Sequence, residues 1–296
     1  MKKNTSQSQV QTLTNRSRFG ELWHRLKRNK GALVGLTVIA LLVLTAILTA
    51  VFVDYKEMIV RMNPAIRVQP PSLAHPFGTD DVGRDLFWRT LYGTRYSLII
   101  GFGATAFAMI VGVFLGGVSG YFGGILEDIV MRVMDIFSSI PAILMGMVIV
   151  CVLGTSLQNL LIAVGITSVP SFVRITRASV LTIRNQEFVE AARAIGMSNL
   201  RVIFSQVVPN GLSPIIVSAS SRIGSCTIQA AGLSFLGFGV AAPMPEWGAL
   251  VSLGRNFIRT APWMTLFPGI FIIITVLAFN LFGDGLRDAL DPRLKR

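Results

Sequence analysis

The chain has 296 residues, 52% of them hydrophobic and only 14% charged, with a formal net charge of +12. Its mean hydropathy is +0.63, whereas a soluble domain carries about 25% charged residues. An ordinary water-soluble domain is thereby excluded: long uncharged runs between short charged ones mark a chain surrounded mostly by lipid.

In chain order, residues 31–53 hold no charge. A span needs about 20 apolar residues, because the hydrocarbon core is ~30 Å thick and a helix rises ~1.5 Å per residue. A first transmembrane helix is expected over 33–53. It exceeds the roughly 7–15 apolar residues of a signal peptide and no A-x-A pattern follows, so it should stay as an anchor. Residues 96–126 are again uncharged and predict a helix over 97–119. The uncharged run 136–173 is long enough for two passes and breaks at the turn-forming Gly154-Thr155-Ser156. It predicts helices over 133–153 and 157–177. Two apolar runs interrupted only by Arg222 predict a fifth helix over 212–236, and residues 260–283 predict a sixth over 263–284. Helices are required because lipid cannot satisfy exposed backbone groups, and the runs lack the alternation of a membrane barrel. The expected class is an all-α membrane protein with six transmembrane helices.

Lys and Arg set the orientation. With six spans both ends share one side. That side carries the tail residues Lys2, Lys3, Arg16, Arg18, Arg25, Lys27, Arg28 and Lys30 together with Arg132, Arg174, Arg177, Arg184, Arg193, Arg201, Arg287, Arg293, Lys295 and Arg296. The opposite side carries Lys56, Arg61, Arg67, Arg84, Arg89, Arg95, Arg255 and Arg259. The bias of 18 to 8 places the richer side in the cytoplasm. The expected plan is a cytoplasmic basic tail (1–32), the first helix (33–53), an external segment (54–95), a five-helix core (96–285) and a cytoplasmic tail (286–296). The net charge then reflects topology and contact with anionic membrane lipid. No nucleic-acid role is expected, since the basic residues form no groove-tracking face with interleaved aromatics.

The chemistry-bearing residues are few. Cys151 and Cys226 fall in predicted spans as small apolar residues, and His24 and His75 are isolated, so neither disulfide nor metal is indicated. There is no G-x-x-x-x-G-K-[ST] loop, and the glycines of Gly112–Gly117 lie within a span, where they permit close helix packing. The chain is therefore read as having no cofactor and no catalytic residue of its own.

The segment between the fourth and fifth spans carries most information. Residues 186–195 suit a short helix, Gly196 can take the left-handed conformation that ends it, and Ser198 or Asn199 can cap the next. Pro209 marks the entry to the fifth span. The small Ala191 and Ala192, flanked by Glu190 and Arg193, would let another protein surface approach. A plain solvated loop fits the same residues. In the fifth span Arg222 is costly in lipid, so it should face a path or a polar partner. Ser218, Ser221, Ser225, Thr227 and Gln229 make its surroundings polar. Lining a translocation path and bonding to a neighbouring helix both remain open for it.

Glu190-Ala191-Ala192, with Gly196 and Pro209 following, resembles the EAA loop (about 184–209) of bacterial binding-protein-dependent ABC importer permeases. His75-Pro-Phe-Gly-Thr-Asp-Asp-Val-Gly-Arg-Asp85, Leu233-Ser-Phe-Leu-Gly-Phe-Gly239 with Trp247-Gly248, and the ending Gly283-Asp-Gly-Leu-Arg-Asp-Ala-Leu-Asp-Pro-Arg293 resemble the C-type dipeptide/oligopeptide permeases. The resemblance covers the chain from about residue 16 to its end. It implies a type-I ABC importer permease fold in which Glu190, Ala191, Ala192, Arg193 and Gly196 form a coupling helix docking on a cytoplasmic ATPase. Arg222, Ser221, Ser225 and Gln229 would line the path. The implied partners are a homologous B-type permease, two ABC ATPases holding ATP and Mg, and an extracytoplasmic substrate-binding protein. The implied place is the bacterial cytoplasmic membrane, and the implied cargo is peptides, with nickel, glutathione or another small solute as the alternative.

Two external features stay open. Thr79–Arg89 could meet the binding protein or cap the bundle. Pro243-Met-Pro-Glu-Trp-Gly248 could be an interfacial anchor with an exposed Trp or a contact with a partner. An ion-coupled secondary transporter would want acidic residues at mid-membrane; Asp135 and Asp284 lie at span ends instead. A membrane scaffold without transport fits poorly with the polar fifth span.

Overall fold

The computed structural model describes residue 20 and residues 26–290. The basic residues expected in the tails at Lys2, Lys3, Arg16, Arg18, Arg25, Arg293, Lys295 and Arg296, and also His24, lie outside the described residues. Among the described residues the fold is helical, with a single β-bridge between Thr79 and Asp85 and no longer strand.

The first helix, α1, is Lys30–Phe52. Asn29 caps it by accepting from the Ala32 amide at 3.1 Å and donates across to Asp288 at 3.0 Å, tying the start of α1 to the end of the chain. A π-turn at Tyr55–Val60 and a 3-10 turn at Pro64–Ile66 lead into α2, Leu86–Phe122. At 37 residues α2 is ~55 Å long. It starts well before the expected 97–119, because the charges that precede the predicted run have partners inside the protein: Arg95 bonds the Tyr92 hydroxyl at 3.0 Å and Arg89 is buried.

Next come α3, Gly124–Ser139, and α4, Ala142–Leu153, which meet at 92°. The third expected span, 133–153, is therefore not a straight helix. Pro141 lacks an amide hydrogen and disfavours helical geometry at Ile140, so the chain turns there. Helix α5 is Leu157–Ile183, its first turn capped by Ser156, which accepts from the Asn159 amide at 3.1 Å. The loop helix α6 is Glu187–Ala194, followed by α7, Asn199–Asn210, and α8, Leu212–Phe238, with a 68° bend between the last two. Pro209 lies inside α7, and the break falls at Gly211. The chain closes with α9, Trp247–Gly254, and α10, Trp263–Leu290. Among the described residues four helices (α1, α2, α5, α10) are long and apolar enough to cross a membrane, and the count reaches the expected six when each of the bent pairs α3/α4 and α7/α8 is taken as one span.

The bundle centres on α2 against α5. Gly112, Gly116 and Gly120 recur every four residues and so share one face of α2. A methyl group on Gly112 would overlap the Phe172 side chain. On Gly116 it would meet the Val173 carbonyl, and on Gly120 it would press on the Arg177 backbone. Small residues at this spacing let two membrane helices approach backbone to backbone. Helix α10 packs on α8 and α1, and α8 also packs on α2.

Candidate functional site

The α6–α7 loop sits at the end of α2. Tyr121 reaches into it. The Arg193 guanidinium carbon lies 4.8 Å from the Tyr121 ring centroid, and Arg193 Nε donates to the Tyr121 hydroxyl at 2.8 Å. The same hydroxyl donates to Asn199 Oδ1 at 3.3 Å, so one phenol holds both helices of the loop. Gly196 has φ +84° with nothing within 4 Å of an added Cβ. The constraint there is purely backbone, as expected of a left-handed helix end. The Met197 amide closes back on the Ala192 carbonyl at 3.2 Å.

Ala192 is not where a docking residue belongs. It is 7% exposed and packs with Val189, Val202 and Tyr121 in the chain's own core. Its small size serves the fit of α6 onto the bundle. Glu190, Ala191, Arg193 and Gly196 are exposed. With them the outward surface presents Phe188, Ile195 and Leu200, apolar residues that are 38%, 79% and 56% exposed. Sequence reasoning missed Tyr121 and these three. Their only signal was an apolar residue placed where a solvated loop would be polar.

Along α5 and α8 runs a seam of polar contacts. Gln229 donates to Thr167 Oγ1 at 2.8 Å and to the Ala142 carbonyl at 3.3 Å. Arg222, two helical turns away, donates to Ser171 at 2.8 Å. Further along, Arg174 bonds Asp135 at 2.9 Å and Ser138 at 2.8 Å. Arg222, Ser221 and Ser225 also line a cavity of about 600 Å³ between α5, α8 and α10, with Ser213, Ser218 and Arg287 around it. Arg222 therefore bonds a neighbouring helix and lines this cavity at once. Gln229 is spent on helix contacts and is not in that lining. Cys226 is buried between Thr105 and Ser168, and Cys151 is exposed on the outside of the bundle rather than buried.

The opposite end carries a hydrogen-bonded cap. Asp80, 1% exposed, accepts from the Val82 and Arg84 amides at 3.0 and 2.8 Å and from Arg84 Nε at 2.6 Å. Asp85 caps α2 through the Phe87 amide at 2.8 Å and meets His75 Nδ1 at 2.8 Å. Arg89 donates to the Ile59 carbonyl at 2.8 Å, pinning the π-turn. Burial there raises the Tyr55 phenol pKa, so the ring stays neutral against Tyr92. Asp80, Arg84, Asp85 and Arg89 thus bond within this segment and to the start of α2. Trp247 is not an exposed anchor: it is fully buried, and its indole donates to the Thr90 carbonyl at 2.9 Å. Glu246, also buried, caps α9 through the Gly248 and Ala249 amides at 2.8 and 2.9 Å.

The chain resembles known proteins in sequence and in fold. Residues 108–296 match the family described as "binding-protein-dependent transport system inner membrane component". Residues 17–71 match the "N-terminal TM domain of oligopeptide transport permease C". The chain is 48% identical over 281 residues to the dipeptide transport system permease protein DppC of Alkalihalophilus pseudofirmus, covering 94% of this chain and 91% of that one. It is 40% identical to the oligopeptide transport system permease protein OppC of Bacillus subtilis, covering 92% and 88%. Among solved structures, an inward-facing MetNI methionine ABC transporter matches 70% of this chain and 98% of its own with a TM-score of 0.55 at 20% identity, a likeness of fold alone. The chain belongs to the binding-protein-dependent transport system inner membrane component family, as a multi-pass ABC importer permease of the C-type dipeptide/oligopeptide group.

Proposed function

We propose that this chain forms one half of a pathway for di- or oligopeptides into the cell. The other half is a homologous B-type permease, a binding protein delivers the cargo, and two cytoplasmic ATPases holding ATP and Mg drive the cycle. In this reading both termini and the α6–α7 loop are cytoplasmic, residues 54–95 are external, and Arg222, Ser221 and Ser225 face the path. The observation that carries it is the α6–α7 loop: a helix seated on the bundle by Val189, Ala192 and Tyr121 presents Phe188, Ile195 and Leu200 outward. Apolar side chains held out on a rigid mount suit docking by another protein. The relatives named for dipeptide and oligopeptide transport supply the cargo class. Because ATP is hydrolysed elsewhere, the chain's work is to convert docking into helix motion.

The test is the assembled importer in vesicles with loaded binding protein. Peptide uptake and stimulated ATP hydrolysis are expected together. Gly196→Ala, which must strain a left-handed backbone by ~1 kcal/mol, should weaken the stimulation while the complex still reaches the membrane. Normal stimulation in Gly196→Ala combined with normal stimulation after Phe188→Asp would remove the loop from the coupling role.

A further inference from the structure

The cavity of about 600 Å³ between α5, α8 and α10 carries charge of one sign: Arg222 and Arg287 line it, and no Asp or Glu does. Ser218, Ser221, Arg222 and Ser225 recur at steps of three and four residues and so share one face of α8, with Ser213 a turn nearer the α6–α7 loop. From Ser213 to Ser225 this lining follows ~18 Å of helix, from the loop end of α8 into the bundle. Arg287 joins it from α10. A methyl group on Gly283 would stand 2.5 Å from Ser221 Oγ, so the two helices touch there, and Arg287 lies one turn beyond Gly283. These donors have few partners inside the chain. Among the described residues Arg287 bonds no other group, and the hydroxyls of Ser213, Ser218 and Ser221 donate to none. Arg222 donates to Ser171 alone, at 2.8 Å. By contrast Arg174 and Arg177, on the neighbouring α5, are paired with Asp135 and Glu127. None of the six lining residues named is buried, so all are within reach of an occupant.

Two guanidinium groups without a counter-charge repel each other, the more so at membrane depth, and an anion between them relieves that repulsion. A carboxylate presents two coplanar oxygens that match the guanidinium fork, and serine hydroxyls can donate to it beside them. Every unblocked peptide carries one at its C-terminus whatever its side chains, so a site that reads this group suits a cargo of varied sequence. The space admits on the order of twenty water-sized groups at ~30 Å³ each, enough for a short peptide and its water. We propose that Arg222 and Arg287 hold the terminal carboxylate of the peptide in this cavity, with Ser218 and Ser221 donating beside them. The amino end, for which the lining offers no acid, is left unbound by this subunit. In the topology proposed above, the cavity is a station on the cytoplasmic half of the path. The proposal rests on the peptide-permease reading above.

The test uses the assembled importer in phosphatidylcholine nanodiscs without binding protein or ATP, read by saturation-transfer NMR. The probes are Ala-Ala, N-acetyl-Ala-Ala and Ala-Ala amide. The first two keep the carboxylate and should give similar signals; the amide should be at least about fivefold weaker. Arg222→Gln and Arg287→Gln should each lower the Ala-Ala signal toward that of the amide, while Arg287→Lys, which keeps the charge, retains most of it. Co-purification with the partner permease checks that each variant is folded. Equal signals from Ala-Ala and its amide, no signal from wild type, a fivefold loss on acetylation, or an undiminished signal in both glutamine variants would each overturn the carboxylate site. A wild-type signal that vanishes when phosphatidylglycerol is added to the nanodiscs would assign the arginines to lipid phosphate and overturn it too. ATP-driven uptake of Ala-Ala with loaded binding protein is measured in parallel. If wild type imports peptide yet binds acid and amide alike, only the carboxylate site fails; if it imports no peptide, the peptide reading itself fails.

Discussion

Tyr121 and Arg193 are 72 residues apart in sequence, yet the guanidinium of one bonds the hydroxyl of the other at 2.8 Å and lies over its ring. This pair joins the last turn of α2 to the exposed loop. Tyr121→Phe keeps the ring and deletes both hydroxyl bonds. The expected cost is about 1 kcal/mol, so amide exchange across residues 187–202 should quicken roughly fivefold. Unchanged exchange there would show that the hydroxyl does not hold the loop.

Ala191 and Ala192 are neighbours, the first exposed and the second buried. Ala192→Leu overfills a packed core and should cost about 1–3 kcal/mol, seen as a lower unfolding temperature of the detergent-solubilised chain. Ala191→Leu should shift stability by no more than ~0.5 kcal/mol and instead weaken ATPase capture in a pull-down. Identical behaviour of the two variants would contradict the orientation of α6.

Arg222→Ala removes both a helix contact and a charge lining the cavity, whereas Ser171→Ala removes the contact alone. Uptake should fall about tenfold in the first, equivalent to ~1.4 kcal/mol, and little in the second, with co-purification of the partner permease intact in both. If Ser171→Ala matches Arg222→Ala, the arginine works through the helix contact and not through the cavity.

Asp80→Asn leaves the buried Arg84 and Arg89 without their counter-charge. Removing one partner of a buried pair costs about 3–5 kcal/mol, while replacing the pair by apolar groups costs far less. Folded yield should therefore drop sharply for Asp80→Asn and recover in part for Asp80→Leu with Arg84→Met. Thermal unfolding of each variant measures this, and a full-strength Asp80→Asn would show the network to be incidental.

Gln69 and Gln186 are both exposed, one before α2 and the other between α5 and α6. In a background without Cys151 and Cys226, a cysteine at 69 should react with an impermeant maleimide on intact cells, and one at 186 only after lysis. The reverse pattern would invert the topology.

Much of this was legible in the sequence, because lipid leaves only charge-free helices as spans and each such run is long. Gly196 was legible too, since its left-handed φ follows from its place after a short helix. What stayed hidden depended on partners far along the chain. Arg89 and Arg95 looked like the end of a span, yet α2 continues past both because Asp80 and the Ile59 carbonyl receive Arg89. Pro141 was visible, but the uncharged residues around it disguised a bend as a straight pass. Ala192 read as a docking residue because size alone does not say which side of a helix a residue occupies. Trp247 read as an interfacial ring because nothing near it announced the Thr90 carbonyl 157 positions away.

The four-residue beat of glycines on α2 also has a mechanical meaning. Backbones in contact at Gly112, Gly116 and Gly120 cannot slide past one another, since any shift drives side chains of α5 into the main chain of α2. The pair behaves as a strut of fixed shape. Under the docking proposed for the loop, the bends at Pro141 and Gly211, rather than the α2–α5 contact, are where the chain would give.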